Sequence, residues 1–135
     1  MTGRELGQLY FLIKETELLQ KDLLTLEYRA GISAPLLIGM PKGGIKKGVA
    51  EYAAEIADLR DEITFNLLRI QKERVKIERF IGGLDDAEMR LILRLRHVNC
   101  MTWADIGYEL NMERTTVSKK YRAYLKNISH NSRSK

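Results

Sequence analysis

The chain has 135 residues, with 23 Lys and Arg against 18 Asp and Glu, a formal net charge of +5 and a sequence pI near 9.4. At 44% hydrophobic and 30% charged residues it is too apolar for a disordered tail and too charged for a membrane protein, and its length suits one domain or two small modules. No apolar run approaches the ~20 residues a bilayer span needs, and the N-terminus lacks the apolar core and cleavage site of a signal peptide, so the expected location is cytoplasmic.

In chain order, Leu9, Leu12, Thr16, Leu19, Leu23, Leu26 and Ala30 fall at alternating steps of three and four. That spacing predicts a helix from about Arg4 to Ala30 with a heptad seam. Gly31 stops it, and residues 31–48 hold both prolines, Pro35 and Pro41, and five glycines, the composition of a linker. Inside the linker, Leu36, Leu37 and Ile38 are too apolar for a solvated loop; they either dock on a neighbouring helix, the favoured reading, or mark a contact surface. Gly39 to Lys46 loosely resembles a phosphate-binding loop, but it lacks the Gly-Lys-Ser/Thr ending and a preceding strand, so it is read as a plain loop.

Val49, Ile56, Ile63, Ile70, Ile77 and Leu84 then recur at every seventh position, which predicts one long helix from Val49 to about Ile81. Tyr52, Leu59 and Phe80 complete the seam; Asn66 and Glu73 interrupt it, with Leu67 expected to compensate from the next position. Such a stripe needs a partner helix. Two partners suit it: the first helix, in an antiparallel hairpin, or the same region of a second chain, in a homodimer.

Gly82-Gly83 ends the long pattern, and short capped helices follow. One opens at Asp85, turns Met89, Ile92, Leu93 and Leu95 inward and ends near His97 to Asn99. Thr102 with Asp105 reads as a capping box for a second, with Trp103, Ile106, Gly107 and Leu110 on one face. Asn111-Met112 makes a turn. The last helix starts near Glu113 or Arg114 and carries Val117, Tyr121, Tyr124, Leu125 and Ile128 inward, and residues 130–135 read as a disordered tail. The expected fold is therefore all-α: residues 1–83 form a long-helix, coiled-coil-like hairpin or dimer arm, and residues 84–129 form a three-helix, helix-turn-helix module.

The ligand and catalytic inventory is thin. His97 and Cys100 have half the spacing of a metal site, but His130 is the only other soft ligand where structural zinc wants four. Cys100 has no partner for an internal disulfide, and the sequon at Asn127 carries no weight in a chain that is not secreted. No nucleophile-base set stands out. Neither metal, cofactor nor catalysis is expected.

Charge, by contrast, is concentrated. Residues 49–83 carry 6 basic and 7 acidic groups, residues 84–135 carry 10 and 6, and residues 111–135 carry 7 and 1. Two short helices joined by a tight turn, a glycine at their crossing and a basic second helix suit double-stranded DNA. Arg114, Thr115, Thr116, Ser118 and Lys119 occupy the first turns of that helix, where side chains meet base edges. Lys120, Arg122 and Lys126 lie further along, where phosphates are expected. Trp103, Tyr121 and Tyr124 share faces with aliphatic residues and read as core rather than as base-stacking platforms.

From Leu84 to Ile128 the run Leu-Asp-Asp-Ala-Glu-Met-Arg-Leu-Ile-Leu-Arg-Leu-Arg, followed by Met-Thr-Trp-Ala-Asp-Ile-Gly-Tyr-Glu-Leu, resembles region 4 of sigma-70-type factors. The resemblance implies a helix-turn-helix that binds promoter DNA and touches RNA polymerase, with Arg114, Thr115, Thr116, Ser118 and Lys119 at the DNA-contacting positions. The whole layout resembles small phage and prophage late transcription regulators of the ArpU and RinA type. Nothing resembles the promoter-melting region 2 of sigma factors, so a regulator is expected rather than a complete sigma factor. The long helices would then serve as a surface for a homodimer or for polymerase. Competing readings are a phage packaging or replication accessory protein, such as a small terminase subunit, and a coiled-coil adaptor.

Overall fold

A computed structural model of the protein describes residues 1–31 and 48–133, and among these every regular element is a helix. The Leu36 patch and the Gly39 to Lys46 loop lie outside the described residues. In chain order the helices are α1 (Gly3–Leu6), α2 (Gln8–Arg29), α3 (Val49–Gly82), α4 (Ala87–Leu93), α5 (Trp103–Leu110) and α6 (Arg114–Arg133), with a π-helical turn, Arg94–Val98, continuing α4.

Local chemistry accounts for most boundaries. The Thr2 hydroxyl accepts from the Glu5 amide at 3.2 Å and opens α1, and Gly7 separates it from α2, where the sequence predicts one helix from Arg4. Asp86 caps α4 by accepting from the amides of Glu88 and Met89; its first turn also carries Glu88, which the helix dipole favours. The Thr102 hydroxyl accepts from the Asp105 amide at 3.1 Å and opens α5. Asn111 closes α5 in the left-handed conformation, at φ 54°, a geometry the short amide side chain tolerates. Helix α6 runs to Arg133, so residues 130–133, expected as tail, are helical.

Compact packing divides the chain into two units, Leu12–Arg69 and Met1–Phe11 with Ile70–Lys135. The sequence places its break at Gly83 instead. Gly82 and Gly83 end α3, and the Leu84 amide closes its last turn on the Ile81 carbonyl; across them Glu78 pairs with Arg94 at 3.2 Å.

In the Leu12–Arg69 unit, the two heptad stripes turn inward at Leu12, Thr16, Ile56 and Ile63. Thr16 is tolerated there because its hydroxyl donates to the Leu12 carbonyl at 2.7 Å, leaving no buried donor unpaired. Arg60 pairs with Glu27 at 2.9 Å, and the Asn66 amide donates to Glu15 at 3.4 Å. The sequence expectation for Leu67 is overturned: Asn66 keeps its seam position, 2% exposed, while Leu67 is 48% exposed. A seam amide with a carboxylate partner needs no apolar substitute.

In the other unit Leu6, Leu9, Ile77, Ile81, Ile92, Leu93, Ile106 and Val117 are buried. The π turn is the element no sequence pattern announces. Its Asn99 amide reaches back five residues to the Arg94 carbonyl, and Met101 reaches Leu95. The widened turn places His97, a polar residue, inside at 7% exposure.

Candidate nucleic-acid interface

The site is the pair α5 and α6 with the turn between them. Gly107, buried at the middle of α5, sets how closely the chain returns: a Cβ built there would lie 2.6 Å from the Met112 carbonyl oxygen and 3.2 Å from the Arg114 amide. Both are backbone atoms, so only glycine lets the turn and the first residue of α6 come this near. The Met112 amide then bonds the Gly107 carbonyl at 2.8 Å. Val117, fully buried, fixes which side of α6 faces inward.

At about 100° per residue, the side opposite Val117 carries Thr115, Lys119, Arg122 and Lys126, all exposed. Arg122 is braced on that side by hydrogen bonds to the carbonyl and hydroxyl of Ser118, at 3.3 and 3.1 Å; the Ser118 hydroxyl itself donates to the Thr115 carbonyl. Thr116 and Lys120 are exposed but lie about a quarter-turn or more away, and Lys120 pairs with Glu88 of α4 at 2.9 Å. Arg114 sits at the start of α6, against the Gly107 turn. Of the eight residues singled out by sequence, four therefore share one stripe and Ser118 borders it; the basic run divides between two faces. Tyr108 on α5, 86% exposed, escaped the sequence reading.

Behind the stripe, α6 is held by a polar and aromatic cluster. His97 Nε2 lies 2.8 Å from the Tyr121 hydroxyl. Trp103 packs on Tyr121 with ring centroids 4.7 Å apart, and the Arg96 guanidinium lies 4.4 Å from the Trp103 ring centre. Trp103 and Tyr121 are thus packing residues, as their spacing predicts. The N-terminus completes the cluster: Gly3 lies against Leu125 of α6, and the Leu6 backbone lies beside His97. Sequence reasoning missed this contribution, because residues 90 or more apart leave no periodicity to read.

Burial and then the Arg96 charge push His97 down to about 4, against the smaller upward pull of the Leu6 backbone. Burial pushes Tyr121 up as well, against a smaller downward pull of the Arg96 charge. For a histidine whose folded value lies below its unfolded 6.5, the unfolded chain takes the proton first as pH falls. Stability should be full above pH ~6.5 and decline toward pH ~4, by about 3 kcal/mol at the limit. Urea unfolding at stepped pH measures this, and His97→Gln should flatten the decline.

Residues 32–129 match a family described as "Protein of unknown function (DUF1492)", and the chain belongs to that family. No curated protein and no solved structure matches it.

Proposed function

We propose that this family member is a sequence-specific, double-stranded-DNA-binding transcriptional regulator, encoded by a phage or prophage, that reads DNA with α6. One observation carries the reading: the glycine-tight return from α5 fixes α6 so that Thr115, Lys119, Arg122 and Lys126 form a single outward stripe. A tight α5–turn–α6 pair with a basic, hydroxyl-bearing outward face supports reading it as a helix-turn-helix whose second helix would enter the major groove. The 7 to 1 basic excess over residues 111–135 supplies the attraction for phosphates. RNA polymerase is the second partner this reading calls for, through the resemblance to sigma region 4.

The stripe assigns roles by position. Thr115 and Lys119, in the first turns, meet base edges; Arg122 and Lys126 meet phosphates; Lys120, engaged with Glu88, contributes less. Arg122→Ala or Lys126→Ala should weaken binding to all duplexes alike and lower the salt slope by about one unit each. Thr115→Val should cost about 1 to 3 kcal/mol on the preferred site and little on scrambled DNA. Titrating each variant on both duplexes at several salt concentrations separates the two classes, and an unchanged slope for both basic variants would reject the assignment.

A further inference from the structure

We propose that the outward face of α3 is a pairing surface for a second copy of this chain, lying antiparallel. The inward side of this helix is marked by buried Ile56, Ile63, Asn66 and Ile77. On the opposite side a second heptad seam runs the length of the helix. Asp58, Phe65, Lys72 and Arg79 repeat every seven residues, and Ala54, Asp61, Leu68 and Val75 interleave with them. Phe65 and Leu68 are 60% and 61% exposed at its centre. Ala54, Asp58, Asp61, Lys72 and Arg79 are exposed as well, and Val75 is half-buried.

The order of charge along this seam names the occupant. Acid precedes the apolar centre and base follows it. A twofold axis between Phe65 and Leu68 would set Phe65 of each copy against Leu68 of the other and Asp61 against Lys72, twice, which is the self-complementarity an isologous dimer requires. A parallel pairing would instead bring Asp58 and Asp61 against their own copies. The same register sets acid against base along the groove lined by Gln71, Lys72, Val75, Lys76 and Arg79, because the residues brought opposite are Ala54, Ala57, Asp58, Asp61 and Glu62. Complementing the helix dipole explains charges only in the first and last turns, not Asp61 and Lys72 in mid-helix.

Charge exchange in the full-length chain tests this by sedimentation equilibrium at low salt. The native chain should dimerise, whereas Asp61→Lys alone and Lys72→Asp alone should each weaken the dimer at least about tenfold, since like charges then face one another twice. Mixing the two variants in equal amounts should restore a dimer holding one of each, because both pairs become opposite in sign; the doubly exchanged chain should dimerise as well. Unchanged melting would show that the singly exchanged chains remain folded. A native chain that stays monomeric at tens of micromolar, a dimer indifferent to both changes, or a mixture that fails to pair would overturn the proposal. So would Lys72→Asp weakening duplex binding with no effect on mass, which would assign the basic half of α3 to nucleic acid.

Discussion

Gly107→Val should destabilise the unit that contains α5 and α6 by upwards of about 3 kcal/mol and remove duplex binding with it. The first added carbon would meet the Met112 carbonyl at 2.6 Å and crowd the Arg114 amide. Neither can rotate away, so the turn must open and α6 must shift, breaking the Met112 to Gly107 hydrogen bond and the burial of Val117. Gly3→Ala is the informative contrast. Its Cβ would lie 2.9 Å from Leu125 Cδ1, the end of a flexible side chain. A rotamer change relieves that contact, and the loss should stay below about 1 kcal/mol. Fluorescence of Trp103, the only tryptophan in the chain, reports both unfolding transitions because its ring packs on Tyr121 of α6.

Ile63→Asp should cost about 3 to 5 kcal/mol, through the loss of apolar burial and the placing of an unpaired carboxylate at a position now 7% exposed. The conservative Ile63→Val should cost about 0.5 to 1.5 kcal/mol. Leu18→Asp, on a side chain 60% exposed, should change stability by no more than about 0.5 kcal/mol. Urea titrations followed by circular dichroism measure all three. An Ile63→Asp chain as stable as the Leu18→Asp chain would show that the isoleucine stripe is not a core.

Helix positions were legible because their causes are local. The Thr102 cap, the Asn111 stop and the seven-residue recurrence of Ile56, Ile63 and Ile77 each act within a turn or two of chain, and the all-helical fold follows from them. What stayed illegible depends on partners distant in sequence. Asn66 reads as a gap in a seam until Glu15 supplies its acceptor, and Lys120 reads as one more phosphate-seeking cation until Glu88 engages it. Residues 1–11 read as the start of a long helix; nothing local tells that Gly3 and Leu6 lie against Leu125 and His97. Summed charge hides order in another way: six basic and seven acidic groups over residues 49–83 nearly cancel, and the sum conceals that acid is concentrated before Phe65 and base after Leu68.

Selection of bound duplexes from a random pool tests most directly the claim that α6 reads DNA. The full-length native chain should enrich a defined sequence, with affinity that falls steeply as salt rises. The Thr115→Val and Lys119→Ala chains, melting as the native chain does, should enrich a different or degenerate sequence, and the combined Lys119→Ala, Arg122→Ala, Lys126→Ala chain should enrich none. Enrichment of the same sequence by the native and the triply substituted chains would contradict the account.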